Sequence, residues 1–306
     1  MRSLGNTSVA CPVCGCDRAA VRIDAGVLAT GDTVLRCRDC SLVYLSGIAA
    51  ERERLDESRS YWHSDEHRSI YESEVVARGN EARAHAQLAR IERHTDKGRI
   101  LDVGCGIGQF LRVAAARGWE PYGLDVSERA CAAARQEFGA DRIHCGVTAP
   151  GIYPPDHFTA ITLWDVIEHL TDPLDAIAML RPSLAPGGLL VVLTPDEDGA
   201  FKRLARGVWR WSGGLVRFPL RYVYYRPHFV SFDERALDGL FARARCRVLH
   251  REREMTDLRF ARQKIRHHYR PGAGRSLVLA GLRVLQAVHA ERWLTNKVTV
   301  YARRDD

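Results

Sequence analysis

Asp165, Glu168 and His169 stand at positions i, i+3 and i+4 where the apolar run ITLW ends. On a helix, that spacing puts two carboxylates and an imidazole on one face. Such a set can take up or release a proton. The same residues have a plainer use. Asp165 at a helix N-cap with Glu168 three residues later makes a capping box, and both acids suit the positive end of a helix. On the residues alone, imidazole base and structural cap both stay open.

A second set is made of thiols. Cys11-x-x-Cys14 and Cys37-x-x-Cys40 form two pairs, each on a tight turn with Pro12 or Gly15 nearby. Their spacing predicts tetrahedral thiolate ligation of Zn²⁺. A four-cysteine site is coordinatively closed, so its expected work is folding a small ribbon over residues 1–48. So short a segment builds little core alone. Cys16 is read as a bystander.

The elements that must position these groups can be read along the chain. RILDVGCGIGQFLRVAAARG predicts a short strand, a glycine turn at Gly104, Gly106 and Gly108, and a helix whose N-terminus faces a ligand. EPYGLDVS predicts a second strand ending in Asp125, whose carboxylate can accept both hydroxyls of a ribose. Gln109 stands where a dinucleotide fold would have its third glycine.

The G-x-G-x-G series with Asp102 before it resembles motif I of the class I S-adenosylmethionine-dependent methyltransferases. FTAITLWDVIEHL resembles that family's fourth strand and the start of its next helix, and LRPSLAPGGLLVVLTP its Pro-Gly-Gly turn and fifth strand. RPHFVSFDERALDGLFARARCRVLHRE resembles the approach to the sixth strand, and TNKVTVYARR suits the seventh. The resemblance runs from about Asp96 to the C-terminus. It implies an α/β, Rossmann-like, seven-stranded and mostly parallel sheet whose last strand is antiparallel. S-adenosylmethionine is the implied cofactor. Asp102 would help hold its methionyl part and Asp125 its ribose, with Gly104 and Gly106 passing beneath. After the third strand this chain has HCGVTAP in place of the family's acid or Asn, so adenine would be read by backbone near Gly146 and Val147. Phe158-Thr159 replaces the family's Phe-Asp, which is expected to be a structural change only. Trp164 would line the cofactor side of the pocket.

The acid-x-x-Glu-His series also resembles ubiquinone-pathway O-methyltransferases and small-RNA 2′-O-methyltransferases, which bind a divalent cation there; the RNA enzymes add a later histidine. That implies a second cation at Asp165, Glu168, His169 and His228. The ribbon resembles that of some bacterial methyltransferases, including ones acting on sugars.

Residues 49–95 read as a helical connector that could lie over the mouth of the next domain, with Ala77, Ala84, Leu88 and Ile91 at helical spacing. Residues 96–306 would be the methyltransferase domain, with an insertion at about 199–228. That insertion is rich in Trp, Tyr and Arg. As a substrate cap, its aromatics could stack on a ring and Arg221 and Arg226 could bind phosphate or carboxylate. The bland alternative is a core-packing helix with a basic face.

The 306 residues carry a net charge of +7 and a pI near 9.0, which invites a nucleic-acid reading. The basic residues are nearly all Arg and are interleaved with acids, as in ERERLDESR, so that reading is secondary. The N-terminus has no apolar h-region, and Arg283 interrupts the apolar stretch near the end, so neither a secretory signal nor a membrane span is expected. Nine cysteines without a signal point to a reducing compartment, hence to cytoplasm. The expected function is methyl transfer to a small-molecule hydroxyl, on a specialised metabolite or sugar, with no membrane partner. The alternatives are RNA 2′-O-methylation using a metal, N- or C-methylation, and a non-catalytic S-adenosylmethionine-binding module.

Overall fold

The structure is a computed structural model that describes residues 9–24, 26–28, 31–48, 74–224, 228–258, 261–262, 265–266, 271–288 and 294–305. Residues 49–73 of the expected connector, and Arg226 of the expected cap, lie outside these.

Five strands with near-continuous apolar runs make the centre: β4 (Arg99–Val103), β5 (Glu120–Asp125), β6 (Ile143–Cys145), β7 (Phe158–Trp164) and β8 (Leu184–Pro195). Such runs suit parallel strands covered on both faces. They pair in parallel, and β10 (Cys246–Glu254) and β11 (Lys297–Arg304) join antiparallel. The sheet is seven-stranded and mostly parallel with an antiparallel last strand, as the sequence resemblance implied, and its order is β10-β11-β8-β7-β4-β5-β6. Because β4, β5 and β7 run the same way, the glycine turn, Asp125 and the Trp164–His169 segment all leave the sheet at one edge.

Helix α1 (Glu74–Ile91) buries Ala84, Leu88 and Ile91, and packs on α2 (Gln109–Ala116), the helix that opens after the glycine turn. Asn80 Nδ2 donates to Gln109 Oε1 at 2.9 Å. Helix α3 (Glu128–Phe138) is capped by Ser127, whose hydroxyl accepts from Ala130 N–H, and α4 (Pro173–Leu180) is capped by Asp172. The insertion after β8 forms α5 (Ala200–Trp211) and α6 (Phe218–Val223), followed by the two-residue strand β9 (Val230–Ser231), α7 (Glu234–Arg243) and, later, α8 (Ala273–Ala287).

The N-terminal segment forms antiparallel strands β1 (Ala19–Ile23), β2 (Val34–Cys37) and β3 (Val43–Leu45). This small sheet gains its fourth strand from the distant β9, with Val43 opposite Ser231 and Tyr44 opposite Val230. Cys11, Val13, Leu35 and Tyr44 share one buried cluster with Phe229, Leu237, Leu240 and Phe241. Ribbon and main sheet therefore have a common core. The insertion forms a separate cluster with the ribbon, where Ala205, Leu220 and Tyr224 pack with Ile23, Val34 and Leu45.

Asp233 ties the ribbon to α7. Its carboxylate caps α7 by accepting from Ala236 N–H at 2.9 Å, and it also accepts from Ser41 Oγ and Arg36 Nη2, both at 2.5 Å. Replacing it with Ala removes the cap and leaves two ribbon donors without their acceptor. Asp233→Ala is expected to lower the unfolding free energy by about 2–4 kcal/mol, read from urea denaturation. A loss under about 1 kcal/mol would show that the ribbon does not depend on this residue.

Candidate functional site

The glycine turn sits between β4 and α2. Gly104 has φ +76°, and a side chain there would overlap Val166. Gly106 has φ +54° and nothing near its would-be Cβ, so the backbone presents an open cradle. Gly108 is the left-handed residue that starts α2. Gly104 N–H donates to Leu124 O at 2.7 Å, which ties the turn to β5.

Asp125 ends β5 with both carboxylate oxygens engaged by backbone: Gly106 N–H donates to Oδ2 and Ser127 N–H to Oδ1, each at 2.8 Å. Gly146 N–H donates to Asp125 O at 2.9 Å, which brings the segment after β6 to the same edge and leaves Val147 exposed.

The β4–β7 register sets Thr162 beside Asp102, and its hydroxyl donates to Asp102 Oδ1 at 2.8 Å. Burial raises the Asp102 carboxyl to about 8, partly offset by that hydrogen bond. Trp164 ends β7 with its ring 5.5 Å from Phe110 of α2. Its buried Nε1 has no hydrogen-bond partner among the described residues. A cradle open at Gly106, an acid at the next strand end and an unanswered indole donor fit an adenosine cofactor.

Asp165 departs from its sequence reading. It has φ +56°, and a single 3₁₀ turn (Ile167–His169) follows, flanked by Val166 with no side-chain cap. The capping box does not form; the helix proper starts at Pro173 behind Asp172. The Asp165 carboxylate instead accepts from Lys297 Nζ at 2.6 Å on both oxygens and from Arg83 Nη2 at 3.3 Å. Lys297 starts β11 next to the end of β8, and burial lowers its pKa despite the acid beside it. Asp165 is not among the residues whose ligand atoms converge, so the expected four-residue cation set is found as a group of three.

That set is Glu168, His169 and His228, whose ligand atoms lie within 4.8 Å of one another. Glu168 is fully buried. Burial, with Asp165 nearby, raises its carboxyl to about 8. Thr194 Oγ1 donates to its Oε2 at 3.0 Å, while Oε1 has no hydrogen-bond partner among the described residues. The half-buried rings of His169 and His228 meet edge to face, with centroids 4.6 Å apart. His228 is held by backbone on both sides of its neighbour: Phe229 N–H donates to Glu168 O at 2.8 Å, and Leu45 N–H of the ribbon donates to Phe229 O at 3.0 Å.

The four expected thiols converge. Cys11 and Cys40 Sγ are 3.5 Å apart, as are Cys14 and Cys37 Sγ, and all four lie within 4.8 Å. A tetrahedron of Zn–S bonds of about 2.3 Å has sulfur–sulfur edges of roughly 3.8 Å, so the donors fit one zinc ion. A cavity of about 410 Å³ lined by Tyr122, Arg135, His144, Tyr153 and His157 lies beside β6 and includes none of the expected site residues.

Lys297, Thr194 and Thr162 were not singled out from sequence. A signal existed for Lys297, one of four lysines in the chain, placed at the head of the apolar run VTVYA.

The sheet order and glycine turn define a Rossmann-like α/β domain of the kind that holds an adenosine cofactor. A family model described as a methyltransferase domain matches residues 76–251, more than half of the chain, which therefore belongs to that family. The chain is 30% identical over 138 residues to a ubiquinone biosynthesis O-methyltransferase of Idiomarina loihiensis, covering 42% of this chain and 53% of the relative. To the protein of the same name from Alkalilimnicola ehrlichii it is 34% identical over 105 residues, covering 33% and 42%. The chain thus spans about half the length of these curated relatives. A crystal structure described as a sarcosine dimethylglycine methyltransferase from Galdieria sulphuraria shares the fold, with a TM-score of 0.50, 14% identity, and coverage of 82% of this chain and 99% of that one. Among the described residues, no helix is long and apolar enough to cross a membrane.

Proposed function

We propose that this chain is an S-adenosylmethionine-dependent methyltransferase that acts on a hydroxyl of a small molecule. The observation that carries this reading is the Glu168–His169–His228 cluster at the sheet edge that also holds the glycine turn and Asp125. S-adenosylmethionine supplies a methyl carbon already activated by its sulfonium, so the protein needs to position the acceptor and manage one proton.

Asp125 accepts from the ribose hydroxyls, Gly104 and Gly106 let the backbone pass beneath, Trp164 Nε1 offers a donor at the pocket wall, and backbone near Val147 meets the adenine. Asp102, buried below the turn, serves the methionyl end. An imidazole nitrogen of His169 or His228 takes the proton of the acceptor hydroxyl. The relatives' names favour oxygen as acceptor, and they add the ubiquinone-type class to the specialised metabolites and sugars considered from sequence. The insertion at 199–228 covers the substrate, and Cys11, Cys14, Cys37 and Cys40 hold one structural Zn²⁺.

A second reading of the cluster rests on the orphaned Glu168 Oε1. One carboxylate oxygen and two imidazole nitrogens also suit a divalent cation, which would lower the acceptor pKa.

The test is labelled methyl transfer into small-molecule extract, with cofactor affinity measured alongside. His169→Ala is expected to leave that affinity within about threefold and to slow transfer by roughly 10²–10⁴. A fully active variant returns His169 to a structural role. Loss of transfer on chelation, restored by Mg²⁺ or Mn²⁺, which thiolates hold poorly, selects the cation. Indifference to chelator selects the imidazole base.

A further inference from the structure

The positive charge of this chain is not spread evenly. Residues 199–232 contain seven Lys and Arg and no Asp or Glu, and residues 258–290 contain another seven with no acid. These two segments hold fourteen of the chain's 45 basic residues and none of its 38 acids, so the remainder is net acidic. They also hold every large apolar side chain that is more than half exposed among the described residues: Leu204, Trp211, Leu215, Leu277, Val284 and Val288. Trp211 is 93% exposed and Leu215 86%.

The two segments adjoin. A Cβ on Gly274 at the start of α8 would lie 3.7 Å from the Phe218 ring of α6, three residues after Leu215. The start of α6, just after the turn that carries Leu215 and follows Trp211, therefore stands beside the start of α8. Exposed Arg203, Arg210, Arg221 and Arg283 accompany these apolar groups.

We infer that α5, the turn after it and α8 form a peripheral docking surface for an anionic lipid bilayer. Trp and Leu projecting from two basic segments that carry no acid of their own match the two halves of the interface: headgroup charge outside and acyl chains just beneath. A second copy of this chain would bring the same positive charge against itself. A nucleic acid would use the arginines, but it gives aliphatic side chains on two helices nothing to enter. The absence of a membrane-spanning helix does not bear on this surface, which would lie on the bilayer and not in it. The inference is independent of the methyl-transfer reading.

The experiment is co-sedimentation of the full chain with phosphatidylcholine vesicles, with and without phosphatidylglycerol, at low and high salt. Binding is expected only with phosphatidylglycerol, and it should weaken with salt. The Trp211→Ser/Leu215→Ser variant should bind roughly tenfold more weakly, with an unchanged thermal midpoint because both side chains are exposed. Charge reversal by Arg203→Glu/Arg210→Glu should weaken it by a similar factor. No binding to the anionic vesicles at low salt overturns the proposal. So does binding that survives loss of Trp211 and Leu215 but is competed by a soluble polyanion, which would mark a nucleic-acid surface. A lowered midpoint in the Trp211→Ser/Leu215→Ser variant would mean the side chains are packed, and that too overturns it.

Discussion

Asp125→Ala is expected to weaken S-adenosylmethionine binding by roughly 10²–10³-fold in a calorimetric titration. The size follows from the loss of a charged acceptor placed to take two hydroxyl donors, each charge-assisted bond contributing about 1.5–3 kcal/mol. The substitution also has a local effect that must be separated. Asp125 accepts from Gly106 N–H and Ser127 N–H, so its removal loosens the turn as well as the ribose contact. Asp125→Asn keeps one acceptor oxygen and discards the charge, and it should lose only about tenfold. If the Ala variant binds S-adenosylmethionine as the native chain does, the cofactor assignment fails. If the Asn and Ala variants lose affinity equally, charge and not acceptor geometry carries the contact.

The cofactor end of the site is legible in the sequence for a physical reason. Gly104, Gly106, Gly108 and Asp125 lie within one strand–turn–helix–strand unit, where spacing and conformation are local and glycine is required by backbone geometry. The same locality reveals the two cysteine pairs. What spacing cannot convey is the partner that arrives from far along the chain. Asp165 reads as a helix cap until Lys297, the head of the last strand, is seen to hold it. A left-handed Asp at the end of a strand leaves no mark in periodicity, and of Asp165, Glu168 and His169 only the last two fall in a helical turn, the single 3₁₀ turn Ile167–His169. Strand β9 is two residues long, too short for any alternation, and its pairing with β3 spans more than half of the chain. The pairing of His228 with His169 was open to suspicion from the motifs, but the ribbon's part in placing it was not.

That part makes the ribbon the place where a remote change should reach the chemistry. Cys37→Ser/Cys40→Ser is expected to abolish zinc binding, measured by metal analysis, and to lower the thermal midpoint. Its effect should not stop at the ribbon. Cys37 ends β2, Cys40 packs in the cluster that includes Phe229 and Leu240, and β3 holds β9 in register just beyond His228. Leu45 N–H fixes Phe229 O, and Phe229 N–H fixes Glu168 O, so slippage of β3 moves both ends of the imidazole cluster. The glycine turn is anchored to β5 through Leu124 and Asp125, away from this route. The double variant should therefore keep cofactor affinity within a few-fold while methyl transfer falls by about 10², the loss expected when a reacting group is misplaced by about 1 Å. His228→Ala in the native ribbon should lose transfer to a similar degree, and combining it with the cysteine changes should add little, because both act on one positioned group. Losses that multiply would separate the ribbon from His228 and confine the metal to stability. A zinc-free variant with native transfer would remove the ribbon from the active site altogether.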